Sequence, residues 1–165
     1  MKPNTVGGIG GQSPSQAYTY ATGFAADAII MTLDGEKRMD EVREGDRIIT
    51  RDSGMAVLTS VSSRVSRTLA VRIKAGSLGH TRPDRDVTLP AGQPILIRDW
   101  RAQAMFGAER AMVPAAKLED GEFITLVEDE EMTLFTLEFD SPHVLYVDGL
   151  EVASDANVAA VSKAA

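Results

Sequence analysis

Short apolar runs, each closed by a turn signal, constrain this chain more than any other feature. They fall at residues 28–32, 47–50, 56–61, 69–74, 87–89, 95–97, 122–127, 133–139 and 144–147. Leu33-Asp34-Gly35-Glu36, Arg51-Asp52-Ser53-Gly54 and Val147-Asp148-Gly149-Leu150 read as turns between them, two carrying the Asp-Gly pair of tight hairpins. Apolar and polar residues alternate with period two through 56–61 and 69–74, which suits a half-buried strand and not a helix. Helical pattern is scarce. Residues 39–42 allow one turn at most, and 101–110, extended through 115–118, allow a short helix or a loop insert. Strands spaced by roughly 8–12 residues predict an all-β sandwich or barrel-like domain with little helix. No repeat of solenoid period is present.

Composition narrows the function. The 165 residues suffice for one domain, and 44% hydrophobic with 25% charged residues describes a soluble globular chain. A formal net charge of −7 argues against nucleic acid as a partner. The absence of Cys removes thiolate nucleophiles, disulfides and zinc–thiolate sites, and two His cannot build a His-rich metal cage. No metal or cofactor is expected. No apolar run reaches the roughly 20 residues of a membrane span. Residues 1–20 read as a flexible Gly/Pro/Ser/Gln lead-in without the apolar core of a signal peptide, and 156–165 as a short tail. Gly7-Gly8-Ile9-Gly10-Gly11 lacks the preceding strand that a phosphate loop requires. These features fit either a cytoplasmic protein or one exported without a visible signal.

Charge is uneven. Residues 119–161 carry no Lys or Arg, and Glu128-Asp129-Glu130-Glu131 is an acidic block, while Arg64, Arg67, Arg72, Lys74, Arg82 and Arg85 lie close together. The simplest reading is a solvated acidic hairpin opposite a mildly basic face. A sharper one places a protein partner on the acidic 119–140 region.

Ordered segments between residues 21 and 155 resemble the Hint domain, the hedgehog/intein self-processing fold, and most closely its bacterial Hint-type family. Gly23-Phe24-Ala25-Ala26-Asp27-Ala28-Ile29-Ile30-Met31-Thr32-Leu33-Asp34-Gly35 is similar to the family opening Cys-Phe-x-x-Gly-Thr-x-Ile-x-Thr-x-x-Gly. Met39-Asp40-Glu41-Val42-Arg43-Glu44-Gly45-Asp46-Arg47-Ile48-Ile49-Thr50 resembles its V-E-x-L-x-x-G-D-x-V-x-T segment, the most specific signal. Val71 to Gly79 with Arg82 to Val87, Val113 to Gly121, and His143 to Ser154 follow in the family's order. The resemblance implies a compact, pseudo-twofold, β-rich Hint fold over 21–155.

It also implies a chemistry. Hint domains begin with an acyl shift in which the first side chain attacks the preceding carbonyl, assisted by a Thr/Ser-x-x-His segment that polarises and protonates the scissile amide. Here Gly23 holds the nucleophile position, Leu89 the hydroxyl position and Gly92 the His position. Ala153 and Ser154 stand at the closing His and Asn positions of inteins. Asp27 and Ala28 also depart from the family's Gly and Thr. The expectation is a degenerate domain, catalytically inactive, serving as a binding or structural module. The alternative is autoprocessing with a non-Cys nucleophile near Thr22/Gly23. Residual candidates are Thr22, whose hydroxyl is one residue from the lost nucleophile; His143, aligned with the closing-segment His but readable as a structural residue at a strand start; and Asp86, which would otherwise pair with Arg85 or cap a turn. His80 reads as an exposed loop residue, and Trp100 and Phe106 as core. No Gly-x-Ser-x-Gly elbow, Walker segment or His-Glu-x-x-His is present.

Overall fold

In the computed structural model, residues 21–79 and 81–155 are described. The lead-in, the glycine cluster, His80 and the tail lie outside them.

The turn signals place half of the strands. Thr32 pairs with Gly35 across Leu33-Asp34, joining β2 (Ile29–Thr32) to β3 (Gly35–Arg38), and Thr50 pairs with Gly54, joining β4 (Arg47–Thr50) to β5 (Gly54–Val57). Val147 pairs with Leu150 around Asp148 (φ 54°) and Gly149 (φ 81°), the left-handed pair that a two-residue hairpin turn needs. This joins β11 (Val144–Val147) to β12 (Leu150–Ala153). The remaining strands are β1 (Phe24–Ala25), β6 (Ser60–Ile73), β7 (Val87–Pro90), β8 (Pro94–Ile97), β9 (Ala111–Pro114) and β10 (Ile124–Glu138). One helix, α1 (Trp100–Phe106), and 3-10 turns at Met39–Glu41 and Ala115–Leu118 complete the described chain.

Two sheets result. One has the order β1-β10-β6-β7; the other has eight strands in the order β3-β2-β4-β11-β12-β8-β9, with β5 on β4. Ile30, Ile48, Ile73, Ile95, Ile124 and Leu145 are fully buried among their inward faces. Each such side chain contributes about 1.5–3 kcal/mol relative to exposure.

The apolar pattern under-read two strands. Residues 69–74 mark the inner end of β6, and 122–127 and 133–139 are two parts of one strand, β10; the two strands pair from Ile73↔Ile124 to Ser60↔Glu138 with a bulge between Val127 and Glu130. The outer part of β6 is largely exposed, so Ser62-Ser63-Arg64-Val65-Ser66-Arg67 carries no core-facing alternation for a sequence reading to detect, while facing it β10 buries Met132, Leu134 and Leu137. One basic residue stands directly across from the acidic block, in the pair Glu131↔Arg67. Arg67 on β6 reaches Asp129 (3.0 Å) and Glu131 (3.4 Å) on its paired strand. Trp100 is 68% exposed and Phe106 is 45% exposed, not core: α1 spans seven residues and buries Ala102 alone. Between α1 and the second 3-10 turn lies β9, so 101–118 is not one helix.

Candidate functional site

The turn from β7 to β8 is tied down by its backbone. Ala91 N–H donates to Leu69 O (2.9 Å), Gln93 N–H to Pro90 O (3.1 Å), Ala116 N–H to Ala91 O (3.0 Å) and Ala115 N–H to Gln93 O (2.9 Å). With the main chain bonded to β6 and the 3-10 turn, the Gln93 side chain enters the interior and is 2% exposed.

There it joins two ends of the domain. Gln93 Oε1 accepts the Gly23 N–H (2.9 Å), while Gln93 Nε2 donates to Ala153 O (2.8 Å) and Pro94 O (3.2 Å). Reversing the amide would face two donors at Gly23 and two acceptors at Ala153, so the network fixes its orientation. Next to it, Gly92 N–H donates to Ala21 O (3.0 Å), and Arg64 Nη2 donates to Thr22 O (2.9 Å). The Thr22–Gly23 peptide is thus held by its carbonyl and by its N–H. Gly23 itself has φ +126°, and a Cβ built on it would meet Phe135 O at 3.0 Å and Leu134 Cβ at 3.3 Å. This backbone favours glycine, and a side chain here would be strained.

Chemically, the knot has donors on four carbonyls, those of Ala21, Thr22, Pro94 and Ala153, and an acceptor on one amide. An acyl shift at Gly23 needs an attacking atom and an acid that protonates the leaving nitrogen. Gly23 supplies no side chain, and the group facing its nitrogen is an oxygen that takes the N–H.

The structure brings Gly23, Gly92 and Ala153 into this knot, with Thr22 bordering it. Leu89 is buried opposite Val71 in the β6–β7 pairing. Ser154 lies one residue past β12, where its N–H donates to His143 O (2.8 Å) and its Oγ accepts the His143 N–H (2.9 Å). The His143 ring is turned to a different set of neighbours. Nδ1 lies 2.9 Å from Asp52 Oδ2 and 3.4 Å from Ser53 Oγ, and the ring stands edge-on to Phe139 at 5.6 Å. Asp52 Oδ1 also accepts the Val144 N–H, so the carboxylate fixes ring and strand start together. Asp86 Oδ1 accepts the Ala75 N–H (2.8 Å), capping a turn, while Arg85 pairs instead with Asp148 (2.9 Å).

Asp86 and Leu89 also line a cavity of about 380 Å³ with Arg38, Arg85, Glu130, Glu131 and Asp148. Burial pushes the Asp148 carboxyl above the usual range, against the pull of Arg85 and of the Ile29 N–H. Among the described residues no group of three or more His, Asp or Glu could hold a metal ion, and no helix is long and apolar enough to cross a membrane.

Sequence reading missed Gln93, Arg64 and Asp52. For Gln93 a signal existed: one amide between Leu89-Pro90 and Pro94-Ile95-Leu96-Ile97 is a polar residue inside an apolar stretch, where burial demands partners. Arg64 and Asp52 carry no such mark, because their contacts depend on register.

Solved structures share this architecture at low identity. A bacterial intein-like domain from Clostridium thermocellum is 17% identical, covers 81% of this chain and 97% of its own, and superposes with a TM-score of 0.59. The TvoVMA intein is 12% identical, covering 81% and 98% with a TM-score of 0.58. The MchDnaB-1 intein is 13% identical, covering 79% and 98% with a TM-score of 0.54. No curated protein matches the chain in sequence. The family model described as the Hint domain matches residues 22–158, and with the all-β fold above this places the chain: it belongs to the Hint domain family.

Proposed function

We propose that this Hint domain does not cleave itself and acts as a binding or structural module. One observation carries the reading: the buried Gln93 side chain bonds Gly23 N–H, at the nucleophile position, and Ala153 O, at the closing His position, at once. The bridge ties the Gly23 amide to the closing strand, and the group it sets against the Gly23 nitrogen is a carboxamide oxygen, which has no proton to give a leaving nitrogen. A strained φ at Gly23 further disfavours any side-chain nucleophile at that position.

The test is intact mass. The 17.7 kDa chain is incubated for days at neutral pH, with and without hydroxylamine or thiol, which trap esters and thioesters. The expected result is a single full-length mass. Time-dependent loss of the first 21 or 22 residues overturns the proposal.

That outcome would favour the second reading, autoprocessing near Thr22/Gly23. Its supporting observation is that Arg64 and Gly92 N–H polarise the Thr22 and Ala21 carbonyls, as donors in a cleaving site would.

As a module, the domain would meet a protein partner through residues 119–140, where Glu130 and Glu131 line the cavity beside Asp86. Such binding weakens with salt and on neutralising residues 128–131. Insensitivity to both would remove this surface from the proposal.

A further inference from the structure

Away from the junction, arginines gather around a single buried carboxylate. Glu151, on β12, is 6% exposed. Arg98 grips it with two bonds (2.9 and 3.1 Å), Arg51 Nε lies 3.4 Å away and Arg82 Nη1 3.8 Å away. The Arg82 side chain is 15% exposed, and its buried Nε has no hydrogen-bond partner among the described residues. Asp99 does not relieve the surplus, because it is occupied by Arg101 and by the first turn of α1.

In front of this cluster opens a cleft of about 480 Å³ lined by Arg51, Arg98, Asp99, Gln103, Glu109 and Arg110. Counting both layers, Arg51, Arg82, Arg98, Arg101 and Arg110 face Asp99, Glu109 and Glu151. Five positive charges meet three negative ones on a chain whose net charge is −7. Partly buried cations in excess of their counter-charges are costly, and an added anion would relieve them. Guanidinium forks suit tetrahedral oxyanions, which accept several charge-assisted bonds at once.

We infer that this cleft binds an oxyanion of the phosphate class, with Arg51, Arg98 and Arg110 as its contacts. The ligand is either free phosphate or the phosphate group of a small ester, and the two differ in what else fills the cleft. The inference is independent of whether the Thr22–Gly23 peptide is ever cleaved.

Thermal melts at neutral pH compare phosphate with chloride at matched ionic strength, with acetate as the monovalent control and O-phosphoserine as the ester. At about a hundred times its dissociation constant, phosphate raises the Tm by about 5–10 °C, and acetate does much less. Arg110→Gln weakens phosphate binding about tenfold, through loss of one charge-assisted contact. Arg67→Gln, on the distant β6–β10 ribbon, leaves the phosphate effect intact. If Arg110→Gln unfolds the chain, phosphorus NMR titration of Arg110→Lys, which keeps the charge but loses the fork, reads the weakening. A larger shift with O-phosphoserine assigns an ester, and an equal one assigns the free anion. Equal melts in phosphate and chloride would overturn the site, as would a phosphate effect that survives both arginine substitutions.

Discussion

Replacing Gln93 with leucine keeps the side-chain volume close and removes both halves of the bridge. Gly23 N–H and Ala153 O then stay buried without a partner, since Gln93 is 2% exposed and water has little access. Each orphaned group costs about 1–3 kcal/mol, so the pair costs about 2–5 kcal/mol after partial relaxation. For a domain of this size that lowers the Tm by about 2–4 °C per kcal/mol, a total of about 5–15 °C. Urea unfolding followed by circular dichroism should show a lower midpoint with an unchanged slope. Gln93→Glu sharpens the test. Its carboxylate still accepts from Gly23 but repels Ala153 O, whereas the protonated form can donate there. Burial raises the folded-state value of that carboxyl, so the variant's deficit should shrink as pH falls through the raised value and level off below the unfolded glutamate value of about 4.3, unlike that of Gln93→Leu. A Gln93→Leu deficit below about 0.5 kcal/mol, the range of a surface substitution, would refute the bridge.

Other substitutions test other parts of the structure. Gly23→Ala should cost about 1–3 kcal/mol from φ +126° alone, with the Phe135 O contact adding to it; an unchanged denaturation midpoint would contradict that backbone. Glu151→Gln leaves Arg51, Arg82 and Arg98 without their common carboxylate and should cost about 3–5 kcal/mol in urea unfolding. Asp120 accepts the N–H groups of Glu122, Phe123 and Ile124, so Asp120→Ala should cost about 1 kcal/mol at pH 7. The Ile124 N–H, then those of Glu122 and Phe123, hold the Asp120 carboxyl below its usual range against desolvation. Its stabilisation is therefore present above the unfolded carboxylate value of about 3.9 and lost as pH falls through the lower folded value. Wild type and variant should converge in acid, and a pH-independent gap would contradict the cap.

The hairpins were legible because their turns are local: Asp148-Gly149 requires positive φ at both residues, and few other pairs supply it. The outer half of β6 was not. Its stability comes from cross-strand partners on β10 far away in sequence, and Ser62 to Arg67 is mostly polar and exposed. At the site, Gly23 and Gly92 stood out by what they lack. The bond between Gln93 and Gly23 spans 70 positions, and no local pattern encodes it. Trp100 misled for a related reason: size suggested core, but α1 is too short to turn a broad face inward, and Arg101 stacks over the exposed ring at 4.9 Å.

Residue-resolved hydrogen exchange of the Gly23 amide addresses the closed junction most directly. If Gln93 Oε1 holds that N–H, the amide exchanges as slowly as those of Ile73 and Leu145 in the core, and becomes fast in Gln93→Leu while they stay slow. Exchange at the rate of an exposed amide in the unaltered chain would contradict the bridge.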